Sequence, residues 1–220
     1  MQEIMGFHFE IQMSKRIKRW RIVYDVKGFF IFHFPYYIKN TQRIVEQYIK
    51  ENHVQLNNFL LKQQTKFNIN NNLVEQYLNE YPNTLVVFGT QMSIKDLTIE
   101  SLSQKLYVKS KEILDEYALK MQLNYTKLTI SHAKSYLGQC DAKARIKIDY
   151  RNVLCDERLL CYLVVHELAH IRYPNHSKLF WQEVERFYPN CKSARKELKI
   201  IANRNALILK HYGLLHKNLC

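Results

Sequence analysis

Leu163-Val164-Val165-His166-Glu167-Leu168-Ala169-His170-Ile171-Arg172-Tyr173-Pro174-Asn175-His176-Ser177 is the stretch from which the rest of the chain can be read. An apolar run leads into two histidines four residues apart. On a helix these lie one turn apart on the same face, so both imidazoles can aim at one ion. Glu167 stands beside the first histidine, within reach of a water held by that ion. Leu163, Val164, Leu168 and Ala169 supply the apolar surface that buries such a helix. Pro174 disfavours helix at Tyr173, so the helix ends there and the chain can turn to bring His176 back. Zinc suits this donor set: it lowers the pKa of bound water from ~15.7 to about 7, and a neighbouring carboxylate can take the proton. The expectation is that His166, His170 and His176 bind Zn²⁺ and that Glu167 is the general base. Three protein ligands leave a fourth position open, which is the mark of a catalytic rather than a structural site.

Two related arrangements compete with it. A metzincin needs a turn glycine where Tyr173 stands and a methionine turn after the third histidine, but the last methionine is Met121. A site completed by a distant glutamate remains open, with Glu183, Glu185 and Glu197 available. His8, His33, His53 and His132 are scattered and read as structural, although a strand end could bring His132 near the site. His211, His216 and Cys220 fit no strong zinc spacing. Tyr173 and Arg172 are near enough in sequence to face the reacting carbonyl, with their direction open.

Outward from the metal segment, three helices are predicted over 156–172, 177–188 and 192–210. Before them, 144–150 and 127–131 read as strands and 99–122 as a long helix. Leu85–Phe88 and Gln91–Ile94 flank Gly89-Thr90 as a hairpin. Thr41–Gln64 is predicted helical, with Ile44, Tyr48, Val54, Leu56, Leu60 and Leu61 as its apolar positions. Asn68–Asn72 reads as a surface loop or insertion. Arg19–Tyr24, a turn at Lys27-Gly28 and Phe29–Phe34 read as strands ended by Pro35. The expected class is therefore α+β: N-terminal antiparallel hairpins or a meander, then a helical zincin-like core with a small sheet. A β-rich region with one helix over 1–98 and a catalytic region over 99–220 are expected, joined as one continuous domain.

Bulk composition bounds the partners. There are 33 Lys+Arg against 20 Asp+Glu, a formal charge of +13, so anionic partners are favoured. Lys15, Arg16, Lys18, Arg19 and Arg21 are placed on the opening strands, with Trp20 and Tyr24 among them, and Lys192, Arg195, Lys196, Lys199 and Arg204 on the last helix. Either set suits phosphates, and either also suits a solvated surface. A peptide or protein substrate, with a non-specific nucleic acid or a nucleotide as further partner, is the expectation. No nucleotide-cradling or sequence-reading DNA-binding motif occurs. Five cysteines without a CxxC pair argue against a disulfide scaffold, a zinc ribbon or a thioredoxin-type site. With neither a leader pattern nor a spanning apolar run, a cytoplasmic protein without membrane contact is expected.

The segment VVHELAHIRYPNHSKLFWQEVERFYP resembles the YgjP-like metallopeptidases, relatives of the SprT-like zinc peptidases, whose pattern is HELxH, a short link and NHSxxFW. Asn175-His176-Ser177 and Phe180-Trp181 match that pattern residue by residue. The basic Ser14–Arg19 segment, Gly89 and Arg145–Ile148 extend the resemblance over about residues 8–198. Members usually carry W-G-S-C ahead of the strand; here Leu137-Gly138-Gln139-Cys140 keeps only the Gly and the Cys, and Cys140 reads as a small buried hydrophobe. The resemblance implies a zinc-dependent hydrolase. Some members are named nucleotide pyrophosphatases, so phosphoanhydride hydrolysis is the alternative enzyme reading. A nucleic-acid-binding protein with structural zinc is the non-enzymatic one.

Overall fold

Alternation at period two organises the N-terminal sheet. Phe30, Phe32 and Phe34 fall on one face of a strand, and all three are buried. The computed structural model describes residues 1–25, 28–133 and 135–215, in an α+β fold that divides into two compact units, Met1–Asn68 and Ile69–Cys220. Lys27, His216 and Cys220 lie outside the described residues. In the first unit β1 (Gln2–Ile4), β2 (Phe7–Ser14), β3 (Arg21–Tyr24) and β4 (Phe30–Pro35) form a sheet in the order β1-β2-β4-β3. Two pairings are antiparallel, but β2 and β4 run parallel, with Phe9 opposite Phe30. The sheet is therefore mixed. The two inner positions go to β2 and β4, of which β4 buries four of its six residues, while β3 alternates exposed and half-buried at an edge. Pro35 is the last residue of β4 rather than a stop beyond it. Of the basic residues expected on the opening strands, only Arg21 is in one; Lys15, Arg16, Lys18 and Arg19 occupy the connection between β2 and β3.

Helix α1 spans Thr41–Glu80, bends at Asn52 and contributes to both units. Val45, Ile49 and Leu56 pack with the phenylalanines. Val54 and Leu61 are exposed instead, at 55% and 60%. They lie nearly half a turn round from Val45 at ~100° per residue. Asn68–Asn72, expected as a loop, is helical. Asparagine costs a helix position at most about 0.7 kcal/mol relative to Ala. No Gly or Pro interrupts the tract, and Val74, Tyr77 and Leu78 beyond it are packed in the second core.

The second unit holds the metal segment. Hairpin β5 (Thr84–Val87) and β6 (Thr90–Ser93) precedes helix α2 (Ile99–Met121), which starts at a reciprocal Thr98–Ser101 capping box. Strands β7 (Lys127–Ser131), β8 (Gly138–Cys140) and β9 (Arg145–Asp149) form a sheet ordered β7-β9-β8, in which β9 pairs parallel with β7 and antiparallel with β8. Helices α3 (Glu157–Arg172), α4 (Lys178–Phe187) and α5 (Cys191–His211) complete it. Leu102, Leu106 and Leu114 of α2, Ile146 and Ile148 of β9, and Val164 and Leu168 of α3 share one buried core. Among the described residues, no helix is long and apolar enough to cross a membrane.

Candidate metal centre

Helix α3 buries most of its residues and leaves its two histidines partly accessible. Leu163, Val164, Leu168 and Ala169 are all buried, while His166 and His170 are half-buried. The helix ends at Tyr173, whose N–H donates to the Ala169 carbonyl at 2.9 Å. A short turn follows. Asn175 Oδ1 accepts from the Ser177 N–H at 3.2 Å, and Ser177 caps α4 by accepting from the Phe180 N–H at 3.3 Å. The turn between two capped helices delivers His176 to these two histidines.

His166, His170 and His176 each offer one nitrogen, and the three nitrogens lie within 4.8 Å of one another. His166 Nε2 and His176 Nε2 are 3.1 Å apart. Two neutral imidazole nitrogens this close call for a shared proton or a shared cation. Zinc–nitrogen bonds of about 2.0–2.1 Å place tetrahedral ligand atoms about 3.3 Å apart, so the donor set fits the ion. The Tyr173 carbonyl accepts from His170 Nδ1 at 3.2 Å, which leaves Nε2 of that ring as the free lone pair. Burial, followed by the neighbouring imidazoles and Arg195, pushes His166 down to about 3. Burial lowers His170 and His176 as well. All three rings are therefore neutral donors near pH 7.

Phe180 lies among the three rings, with centroids at 4.9 Å from His166, 4.5 Å from His170 and 4.8 Å from His176. Trp181 stacks on His176 at 5.6 Å and 22°. These two aromatics fix the imidazoles, and from sequence they stood out only as part of a motif match.

Glu167 is 3% exposed, and burial alone pushes its carboxyl up to about 8. A Cβ on Gly138 would sit 2.4 Å from Glu167 Oε1, so the edge strand β8 passes directly over this carboxylate and only glycine leaves room for it. Gly138 is thus a site residue that spacing did not reveal. Its neighbour Cys140 is half-buried, and burial raises its thiol to about 11.

The other candidates are engaged elsewhere. Glu183 pairs with Arg172, whose Nη2 also donates to the Met121 carbonyl at 3.1 Å. Glu197 accepts from both Arg158 Nη atoms at 2.6 and 3.0 Å, and Glu185 lines a groove between α4 and α5. Among the described residues, none of these glutamates joins the three-histidine group. The His132 ring packs against Tyr150 at 5.0 Å.

Comparison with known proteins places this geometry in context. A family profile described as YgjP-like, metallopeptidase domain, matches residues 36–200. No curated protein matches the chain. Two solved structures are similar to part of it, both crystal structures of metallopeptidase zymogens. Abylysin of Pyrococcus abyssi is 23% identical, with TM-score 0.38, over 40% of this chain and 90% of that one. Jannalysin of Methanocaldococcus jannaschii is 28% identical, with TM-score 0.37, over 42% of this chain and 88% of that one.

Proposed function

The chain belongs to the YgjP-like metallopeptidase family, and from that premise we propose that it is a zinc-dependent peptidase in which His166, His170 and His176 hold the metal and Glu167 is the general base. The observation that carries this is the combination of three converging imidazole nitrogens with a buried carboxylate on the same helix turn. When bound, zinc supplies a Lewis acid for the scissile carbonyl and makes a water acidic enough to deprotonate near neutral pH.

The chain's own residues do the rest. The Glu167 carboxylate, its proton affinity raised by burial, takes the proton of the attacking water and then hands it to the leaving amine. A metal cation nearby favours the ionised form that first accepts the proton. Gly138 keeps that carboxylate in place by leaving it space. Strand β8 lies at the edge of its sheet, and its free backbone groups can pair with an extended peptide laid along the cleft. A set of three donors leaves the fourth position for water and substrate.

The test is metal content and hydrolysis on the purified full chain and on Glu167→Gln. One zinc per chain is expected in both, with cleavage of unfolded protein lost in the variant and in chelator-treated wild type. Nucleoside triphosphates assayed alongside separate peptide from phosphoanhydride hydrolysis. A wild type without stoichiometric metal, or one that cuts only the triphosphates, sinks the proposal.

A further inference from the structure

Next to the metal cluster the second unit carries an unneutralised basic stripe. Lys192, Arg195, Lys196 and Lys199 follow one another at helical spacing on one face of α5. All four are exposed. With Trp181, Glu185 and Cys191 they line a groove of about 600 Å³ between α4 and α5. Among the described residues no carboxylate pairs with any of the four, whereas Glu197 on the same helix is held by Arg158. Four cations thus face one carboxylate, Glu185.

The groove adjoins the metal ligands through one side chain. The Arg195 guanidinium lies 4.8 Å from the Trp181 ring centre, and that ring stacks on His176 at 5.6 Å. A peptide advances about 3.4 Å per extended residue, so these two contacts correspond to roughly three residues of substrate. From Lys192 to Lys199 the helix rises about 1.5 Å per residue, a length that again suits about three extended residues.

We propose that this groove is a subsite for acidic side chains of the substrate, which would lie within a few residues of the bond being cut. The inference rests on the peptidase reading and names its substrate class. A peptide is favoured over a nucleic acid for two reasons. The stripe is short and continuous with the metal cluster that the peptide must cross. The Trp181 ring is already engaged by His176 and Arg195, and so does not serve as a platform for base stacking.

The test reads binding without turnover, on the full chain carrying Glu167→Gln. A short fluorescein-labelled peptide rich in glutamate is compared with its glutamine counterpart by anisotropy. The acidic peptide is expected to bind about tenfold more tightly, as several exposed ion pairs would give. That preference should vanish in Lys192→Gln/Lys196→Gln/Lys199→Gln, a variant of three exposed residues. With Trp20→Phe in the background, the remaining indole, Trp181, should change emission on binding the acidic peptide. Equal affinity for the two peptides overturns the proposal. So does a single-stranded oligonucleotide that binds through the same three lysines while the peptides show no preference. A tenfold preference without any cleavage by the wild type overturns the peptidase reading and upholds the groove.

Discussion

Two buried carboxylates of the second unit, Glu167 beneath the edge strand β8 and Asp149 at the end of β9, are desolvated alike but partnered differently. Asp149 is fully buried; burial raises its carboxyl, and the neighbouring Arg151 guanidinium opposes the rise. Its Oδ1 accepts from Arg151 Nε at 2.5 Å and from the Arg151 N–H at 3.0 Å. Arg151 Nη2 in turn donates to the Ala133 and Tyr136 carbonyls, each at 3.0 Å, and Asn152 Nδ2 donates to the Leu137 carbonyl at 3.0 Å. Asn205 of α5 closes the set by donating to the Arg151 carbonyl at 3.0 Å. This network braces the segment that leads into β8. Glu167 is almost as deeply buried, but burial raises its carboxyl with no opposing charge, and β8 passes it at Gly138. A buried carboxylate with a cation and amide donors holds structure. One buried without such partners sits at high energy in its charged form and is ready to take a proton.

The contrast breaks most visibly at Glu167 itself. Glu167→Gln keeps the shape and removes the base, so kcat on a peptide substrate is expected to fall about 10²–10⁴-fold with zinc stoichiometry unchanged. Steady-state kinetics beside metal analysis checks this. Asp149→Asn should do the reverse. It strands a largely buried guanidinium, so unfolding in denaturant is expected to show a loss of about 3–5 kcal/mol, while the protein that remains folded keeps its activity within a few-fold. Gly138→Ala joins the two regions, because its Cβ collides with Glu167 Oε1. A loss of about 1–3 kcal/mol is expected from overpacking, together with a drop in kcat that exceeds any change in metal content.

A pH dependence sharpens the comparison further. In metal-free protein the Glu167 carboxyl titrates at about 8 when folded, against an ordinary value of 4.5. Between these values the folded state keeps a proton that the unfolded chain has lost, so this group's contribution to stability falls as pH rises from about 4.5 to 8. His166 acts in the opposite direction over a lower range: its folded value of about 3 against 6.5 means that its contribution is lost as pH falls below 6.5. Chelator-treated Glu167→Gln should therefore melt above the wild type at pH 8, by an amount that shrinks towards pH 5. A constant offset in melting temperature across that range would show that burial does not control this carboxylate.

Much of the second unit was legible because it is locally specified. The predicted helices over 99–122, 156–172, 177–188 and 192–210 match α2, α3, α4 and α5 to within about two residues, since apolar spacing and caps are properties of neighbouring residues. The strand at 127–131 and the hairpin around Gly89-Thr90 were legible for the same reason. The first unit was less so. The parallel β2–β4 pairing depends on which strands take the two inner positions, a competition between distant segments. The helical asparagine tract is stabilised by Val74, Tyr77 and Leu78 packing beyond it, not by its own preference.

At the site the same division holds. The amino-acid sequence by itself determined that two histidines share a helix face, that a proline-ended turn returns a third, and that a carboxylate stands between the first two, because these are consequences of helical periodicity and backbone sterics. Only the tertiary structure decided that β8 crosses Glu167 at a glycine, that Phe180 lies among all three imidazoles, and that a basic stripe on α5 meets His176 through Trp181. Those contacts join residues far apart in the chain or on different elements. They are set by how helices and sheet fill a shared core, which no local pattern encodes.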